Sequence, residues 1–116
     1  MDEIYSKAIE YSNISQALAI QKKNLKEQID ARLTYGHNGG IFKIDQSLIT
    51  FIHFLISKGR TEEVVILDTN NNPILIKNLL DFSDEILDRY MSSLYEYYTE
   101  YERLKKARTL EKIIQL

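Results

Sequence analysis

Leu80, Leu87, Leu94 and Tyr101 recur at seven-residue spacing in the last third of the chain, with Tyr90, Tyr97 and Leu104 interleaved. At about 3.6 residues per turn these positions share one side of a helix, so residues 79–116 are expected to form one long helix whose apolar seam another helix must cover. Ile4, Tyr11, Leu18 and Leu25 repeat with the same period near the start, until Arg32 breaks the row and the stripe shifts to Ile29 and Leu33. A first helix is therefore expected over residues 1–35. Ser12, Asn13 and Ser15 weaken it locally by competing for backbone hydrogen bonds. Gly36-His37-Asn38-Gly39-Gly40 should end it as a flexible loop, because glycine favours left-handed and irregular conformations.

The pattern changes in the middle. Ile41-Phe42-Lys43-Ile44 is short and β-prone, which predicts a strand. Asp45 is placed to cap a helix that stops near Lys58, before Gly59. Leu48, Ile49, Phe51, Ile52, Phe54, Leu55 and Ile56 make that helix apolar almost all round. Each large side chain contributes about 1.5 to 3 kcal/mol when buried, so the helix is expected to be the core of the middle module. Val64-Val65-Ile66-Leu67 and Ile74-Leu75-Ile76, separated by an Asx-rich turn that ends at Pro73, predict a hairpin.

The expected fold class is α+β. Long N- and C-terminal helices pack as an antiparallel pair, and residues 36–78 form a small β-α-β-β cap with a three-stranded, mostly antiparallel sheet. The whole is expected to be one domain. In an antiparallel register Lys22, Lys23 and Lys26 lie opposite Asp81, Asp84, Glu85 and Asp88, while Asp2, Glu3 and Glu10 lie toward Arg103, Lys105, Lys106 and Arg108. Such exposed pairs contribute about 0 to 1 kcal/mol each and select register more than they stabilise. Acids early and bases late in the last helix also suit its dipole without any pairing. The apolar tail, Ile113, Ile114 and Leu116, is expected to dock on a neighbouring subunit, which makes the protein a homo-oligomer.

Composition narrows the function. A net charge of -2 gives no global pull toward nucleic acid or anionic lipid. The absence of cysteine removes disulfides, thiol catalysis and Cys-type zinc sites. No apolar segment near Met1 suggests a secretory signal, and the most apolar window, residues 48–56, is too short to cross a bilayer. The expectation is a cytoplasmic protein with no membrane partner.

Candidate chemistry is sparse. His37 lies in the glycine loop and His53 on the polar stripe of the middle helix with Gln46, Thr50 and Ser57, and neither has a second ligand at metal-binding spacing. Asp68, Asn70 and Asn72 match the first ligand positions of a calcium loop, but Pro73 stands where glycine is needed and Leu79 where a bidentate glutamate is needed. The glycine loop follows a helix and precedes a strand, the reverse of a phosphate-binding loop. Asp81, Asp84, Glu85 and Asp88 read as a solvated helix start more readily than as a magnesium site. No cofactor, no metal and no enzymatic activity are expected.

Tyrosine is the least ordinary feature. Tyr95, Tyr97, Tyr98 and Tyr101 crowd together just before Arg103, Lys105, Lys106 and Arg108. Interfaces favour tyrosine, a rigid apolar body with a polar tip, so Leu87, Tyr90, Leu94, Tyr95, Tyr97, Tyr98, Tyr101, Ile113 and Ile114 are the expected interface. Tyr95, Tyr98, Arg103, Lys105, Lys106 and Arg108 are the alternative, a stacking and phosphate-contacting surface for single-stranded nucleic acid.

Ala31-Arg32-Leu33-Thr34-Tyr35 through Ile44-Asp45-Gln46-Ser47-Leu48, Gly59-Arg60-Thr61-Glu62-Glu63 with the Asn72-Pro73 turn, and Tyr97-Tyr98-Thr99-Glu100-Tyr101 carry a resemblance. Together they look like small proteins encoded by T4-like marine bacteriophages. The resemblance covers roughly the last two thirds of the chain and transfers no catalytic or binding residue. It implies an accessory or virion-assembly role in the bacterial host cytoplasm, with phage or host proteins as partners. The leading expectation is a non-enzymatic, self-associating adaptor or assembly protein; the alternative is a nucleic-acid accessory protein.

Overall fold

The computed structural model describes residues 2–115, with side chains for residues 2–107. The protein is α+β. In chain order the elements are α1 (Asp2–Arg32), β1 (Thr34–His37), β2 (Gly40–Lys43), α2 (Gln46–Ser57), β3 (Glu62–Leu67), β4 (Pro73–Asn78) and α3 (Leu79–Gln115). The strands form two separate two-stranded antiparallel sheets, β1 with β2 and β3 with β4. The expected three-stranded sheet is not formed. Thr34 and Tyr35, expected to close the first helix, instead begin a strand, and the glycine loop folds back as its partner.

The chain forms two compact units. One is built from Asp30–Leu94, the other from the residues up to Ile29 together with those from Tyr95 onward.

In the Asp30–Leu94 unit, the first hairpin turns on Asn38 and Gly39, both at positive φ (48° and 82°). Two left-handed residues are what a two-residue type I′ turn requires, and Asn-Gly meets that need at least cost. Tyr35 stands opposite Phe42 and His37 opposite Gly40. The second hairpin pairs Val64 with Ile76, Val65 with Leu75 and Ile66 with Ile74. Its alternation is clean: Ile66, Ile74 and Ile76 are buried while Val65, Leu67 and Leu75 are exposed. Phe42, Ile44, Ile52, Leu79, Phe82 and Ile86 complete the core. Gly40 sits under the second hairpin, where a Cβ would meet Ile74 Cγ1 at 2.5 Å.

α2 begins as expected, with the Leu48 N–H donating to Asp45 Oδ1 at 2.8 Å. Gly59, at φ 75°, follows its end. Its burial departs from expectation. Only Ile52 is fully buried, and Phe51 and Phe54 are about half exposed, at 46% and 56%. The core of this unit is the inner faces of the hairpins and the start of α3, because those two sheets present one apolar face each and the first turns of α3 cover them.

In the unit built from the two chain ends, burial is slight. Leu25, Ile29 and Leu104 are buried, whereas Ile4, Tyr5, Ile9 and Ile20 are exposed. No helix among the described residues is long and apolar enough to cross a membrane.

Candidate interaction surfaces

The seam of α3 is the first surface. Leu79, Phe82, Ile86 and Ser93 form the buried row of the helix, and Leu80, Leu87 and Leu94, each one residue on from Leu79, Ile86 and Ser93, lie about 100° further round. Of the heptad positions expected to be covered, Leu80, Leu87 and Leu94 are therefore open, at 49%, 38% and 40% exposure, while Tyr101, at 38%, faces Lys22. Tyr90 and Tyr97 are half-buried, and Tyr95 and Tyr98 are well exposed. Arg108, Ile113 and Ile114, which belong to the expected surfaces, lie outside the described side chains.

Within the chain-end unit the two helices meet through side chains. The Lys22 ammonium lies 5.6 Å from the Tyr101 ring centroid, and Tyr97 stacks on Tyr101 at 6.5 Å. A cation over an aromatic face is attracted by the ring quadrupole. Lys22 therefore meets a tyrosine of the other long helix. Glu85 is held by Arg89 of its own helix, Nε to Oε1 at 2.7 Å, and Glu100 by Arg103 at 2.8 Å. A cavity of about 350 Å³, lined by Leu18, Ala19, Lys22, Tyr101 and Leu104 among others, remains between the two helices.

Of the alternative nucleic-acid set, Tyr95, Tyr98, Arg103, Lys105 and Lys106 are exposed. The Arg103 guanidinium is engaged by Glu100. Phosphate contact by Arg103 would have to displace that carboxylate.

His37 is not a loop ligand. The β1 strand carries it and Tyr35 to the Phe82 ring, with centroid distances of 4.9 Å for His37 and 6.0 Å for Tyr35, and Phe42 closes the cluster edge-on at 5.2 Å. Arg89 lies 4.5 Å over the Tyr35 ring. The Tyr35 hydroxyl lies 3.5 Å from His37 Nδ1, a long hydrogen bond within the same strand. His53 is exposed on α2. Among the described residues no three His, Asp or Glu side chains gather as a metal-ligand set.

Asp68 has a structural use that its sequence pattern does not announce. Oδ1 accepts the N–H groups of Asn70 and Asn72, each at 2.9 Å, and Oδ2 accepts that of Ile41 at 3.0 Å. These bonds favour the charged form and hold the carboxyl below its usual range despite its burial. The oxygens that would bind a cation are instead committed to backbone donors.

No protein-family model, no curated protein and no solved structure matches the chain.

Proposed function

We propose that this is a non-enzymatic, self-associating adaptor or assembly protein, phage-encoded as the resemblance implies, that works through the open side of α3. The observation that carries this reading is the row Leu80, Leu87 and Leu94, at heptad spacing and exposed at each position. An apolar stripe of that length on a helix is the geometry of an interhelical contact, and a second copy of the same helix is its simplest match. Tyr95 and Tyr98 border the row and supply the aromatic component that interfaces favour. The reading keeps the two long helices as an antiparallel pair, supported by the Lys22–Tyr101 contact. It adds that the slight burial of the pair is made up by the second copy.

Light scattering of the purified chain tests it. A dimer or higher oligomer at micromolar concentration that becomes a monomer of unchanged helix content in Leu87→Lys/Leu94→Lys supports the reading. A wild-type monomer at high micromolar concentration overturns self-association.

The second reading rests on the exposure of Tyr95 and Tyr98 beside Lys105 and Lys106: a surface for single-stranded nucleic acid. A labelled oligonucleotide that shifts at low salt and is released as salt rises would favour it, and no shift at low salt would dismiss it.

A further inference from the structure

The hydrogen-bonding parity of the second hairpin fixes which main-chain groups are used inside it. The Asp68 N–H donates to Asn72 O at 3.0 Å at the turn, and the register continues through Ile66–Ile74 and Val64–Ile76. Opposed residues in an antiparallel ladder alternate between bonded and non-bonded pairs. Val65 and Leu67, opposite Leu75 and Pro73, therefore turn their N–H and C=O away from β4. Asn38 fits the same parity from the far side, since its Nδ2 donates at 2.8 Å to Leu75 O, a carbonyl that points out of the hairpin.

The two outer edges of this hairpin are treated differently. The β4 edge carries Pro73, Lys77 and the Asn38 amide, all devices that stop an edge from pairing. The β3 edge is broken at Glu63, whose φ is 51°, and from there on carries Val65 and Leu67, both exposed, in an apolar run. β2 touches only its far end, where the Thr69 N–H donates to Ile41 O at 2.8 Å; β2 and β3 form no ladder among the described residues. Between them a cavity of about 570 Å³ opens, and Leu48 and Phe51 of α2 line it together with Val65 and Leu67.

We propose that the β3 edge is a docking site for an extended segment of a partner protein. The segment pairs with the main chain of Val65 and Leu67, lays alternate apolar side chains on Phe51 and Leu48, and carries a basic residue beside Glu62 and Glu63. The edge presents main-chain donors and acceptors at strand spacing, which an extended chain uses and a helix, whose own groups are already bonded, does not. The acids at the start of β3 set the charge of the occupant's end. They also disfavour a second copy: two-fold pairing of β3 with itself about Val65 puts Glu62 against the other copy's Asp68. This site is independent of the open side of α3.

The test uses the full chain and a synthetic peptide of alternating valine and threonine flanked by lysines, followed by amide hydrogen exchange and titration. Exchange at Val65 and Leu67 is expected to slow by about tenfold or more at saturation. Val65→Pro removes an N–H that the hairpin does not use, puts a ring carbon in its place and should weaken binding by about tenfold. Leu67→Lys, on an exposed side chain, should weaken it similarly and serves if the proline variant does not fold. A glutamate-flanked peptide should bind several-fold more weakly. Unchanged exchange at these two amides, full binding by a folded Val65→Pro or Leu67→Lys variant, or equal binding of the two peptides overturns the proposal. Protection of Val65 that grows with protein concentration in the absence of peptide overturns it in favour of a second copy.

Discussion

The carboxylate of Asp68 accepts the main-chain N–H of Ile41 at 3.0 Å and so fastens the first hairpin to the turn of the second. The same side chain organises that turn through Asn70 and Asn72. One acid thus joins two sheets that share no ladder.

Acid should loosen this joint. Hydrogen bonds from Ile41, then Asn72 and Asn70, depress the folded pKa of Asp68 below its ordinary 3.8. For a depressed carboxyl, the stabilisation is fully present above the unfolded value and is lost as pH falls through the folded one. Asp68→Asn should be less stable than wild type at pH 7 and show a shallower loss of stability below pH 3.8. Urea denaturation at neutral and acid pH measures both.

Burial should separate two apolar residues that the sequence ranks alike. Ile76 is fully buried, and Ile76→Ala should cost about 2 to 5 kcal/mol. Phe54 on α2 is more than half exposed, and Phe54→Ala should stay near 0.5 kcal/mol, as ordinary surface changes do. Urea midpoints of the two variants check the contrast; equal losses would mean that α2 is buried after all.

The adjacent glycines of the first hairpin should fail for different reasons. Gly40→Ala drives a Cβ into Ile74 and should cost about 1 to 3 kcal/mol from overpacking. Gly39→Ala meets no atom within 4 Å but must hold φ at +82°, at about 1 kcal/mol. Ile74→Val, which removes a methyl group from the residue Gly40 meets, should lessen the penalty of Gly40→Ala and leave that of Gly39→Ala unchanged. A double-mutant cycle reads this directly.

Lysine on the open side of α3 should change mass without changing stability. Leu87→Lys and Leu94→Lys replace partly exposed side chains, so each monomer should hold within about 0.5 kcal/mol of the wild-type monomer. Sedimentation measured beside thermal unfolding separates loss of association from loss of fold.

Much of the α+β order was legible because its punctuation is local. Asp45 caps α2, Gly59 follows its end, and the Asx-rich stretch before Pro73 turns the second hairpin. The first hairpin was missed although Asn38-Gly39 is a strong two-residue turn signal, because three neighbouring glycines made the stretch read as an unstructured loop. The α3 seam was found as a pattern, but the pattern does not say whether the same chain or another covers it. Seven-residue spacing marks the row at Leu80 and Leu87 as clearly as any other, but which row is covered depends on what packs against the helix, and Leu79 and Ile86 took that place. On α2 the polar stripe of Gln46, Thr50, His53 and Ser57 marks the exposed side, but it is too narrow to show that Phe51 and Phe54 share that exposure. Asp68 was legible as a turn former but not as a tie to Ile41, since the two stand 27 positions apart and no local spacing links them.

The division of the chain sets an order of events during synthesis. The Asp30–Leu94 unit has all of its residues once Leu94 has left the ribosome, whereas the other unit joins the residues up to Ile29 to those from Tyr95 onward. The residues up to Ile29 thus wait for those from Tyr95 onward before their unit can close. A nascent chain carries Leu18 and Lys22 without their neighbours Tyr101 and Leu104 until those residues are made.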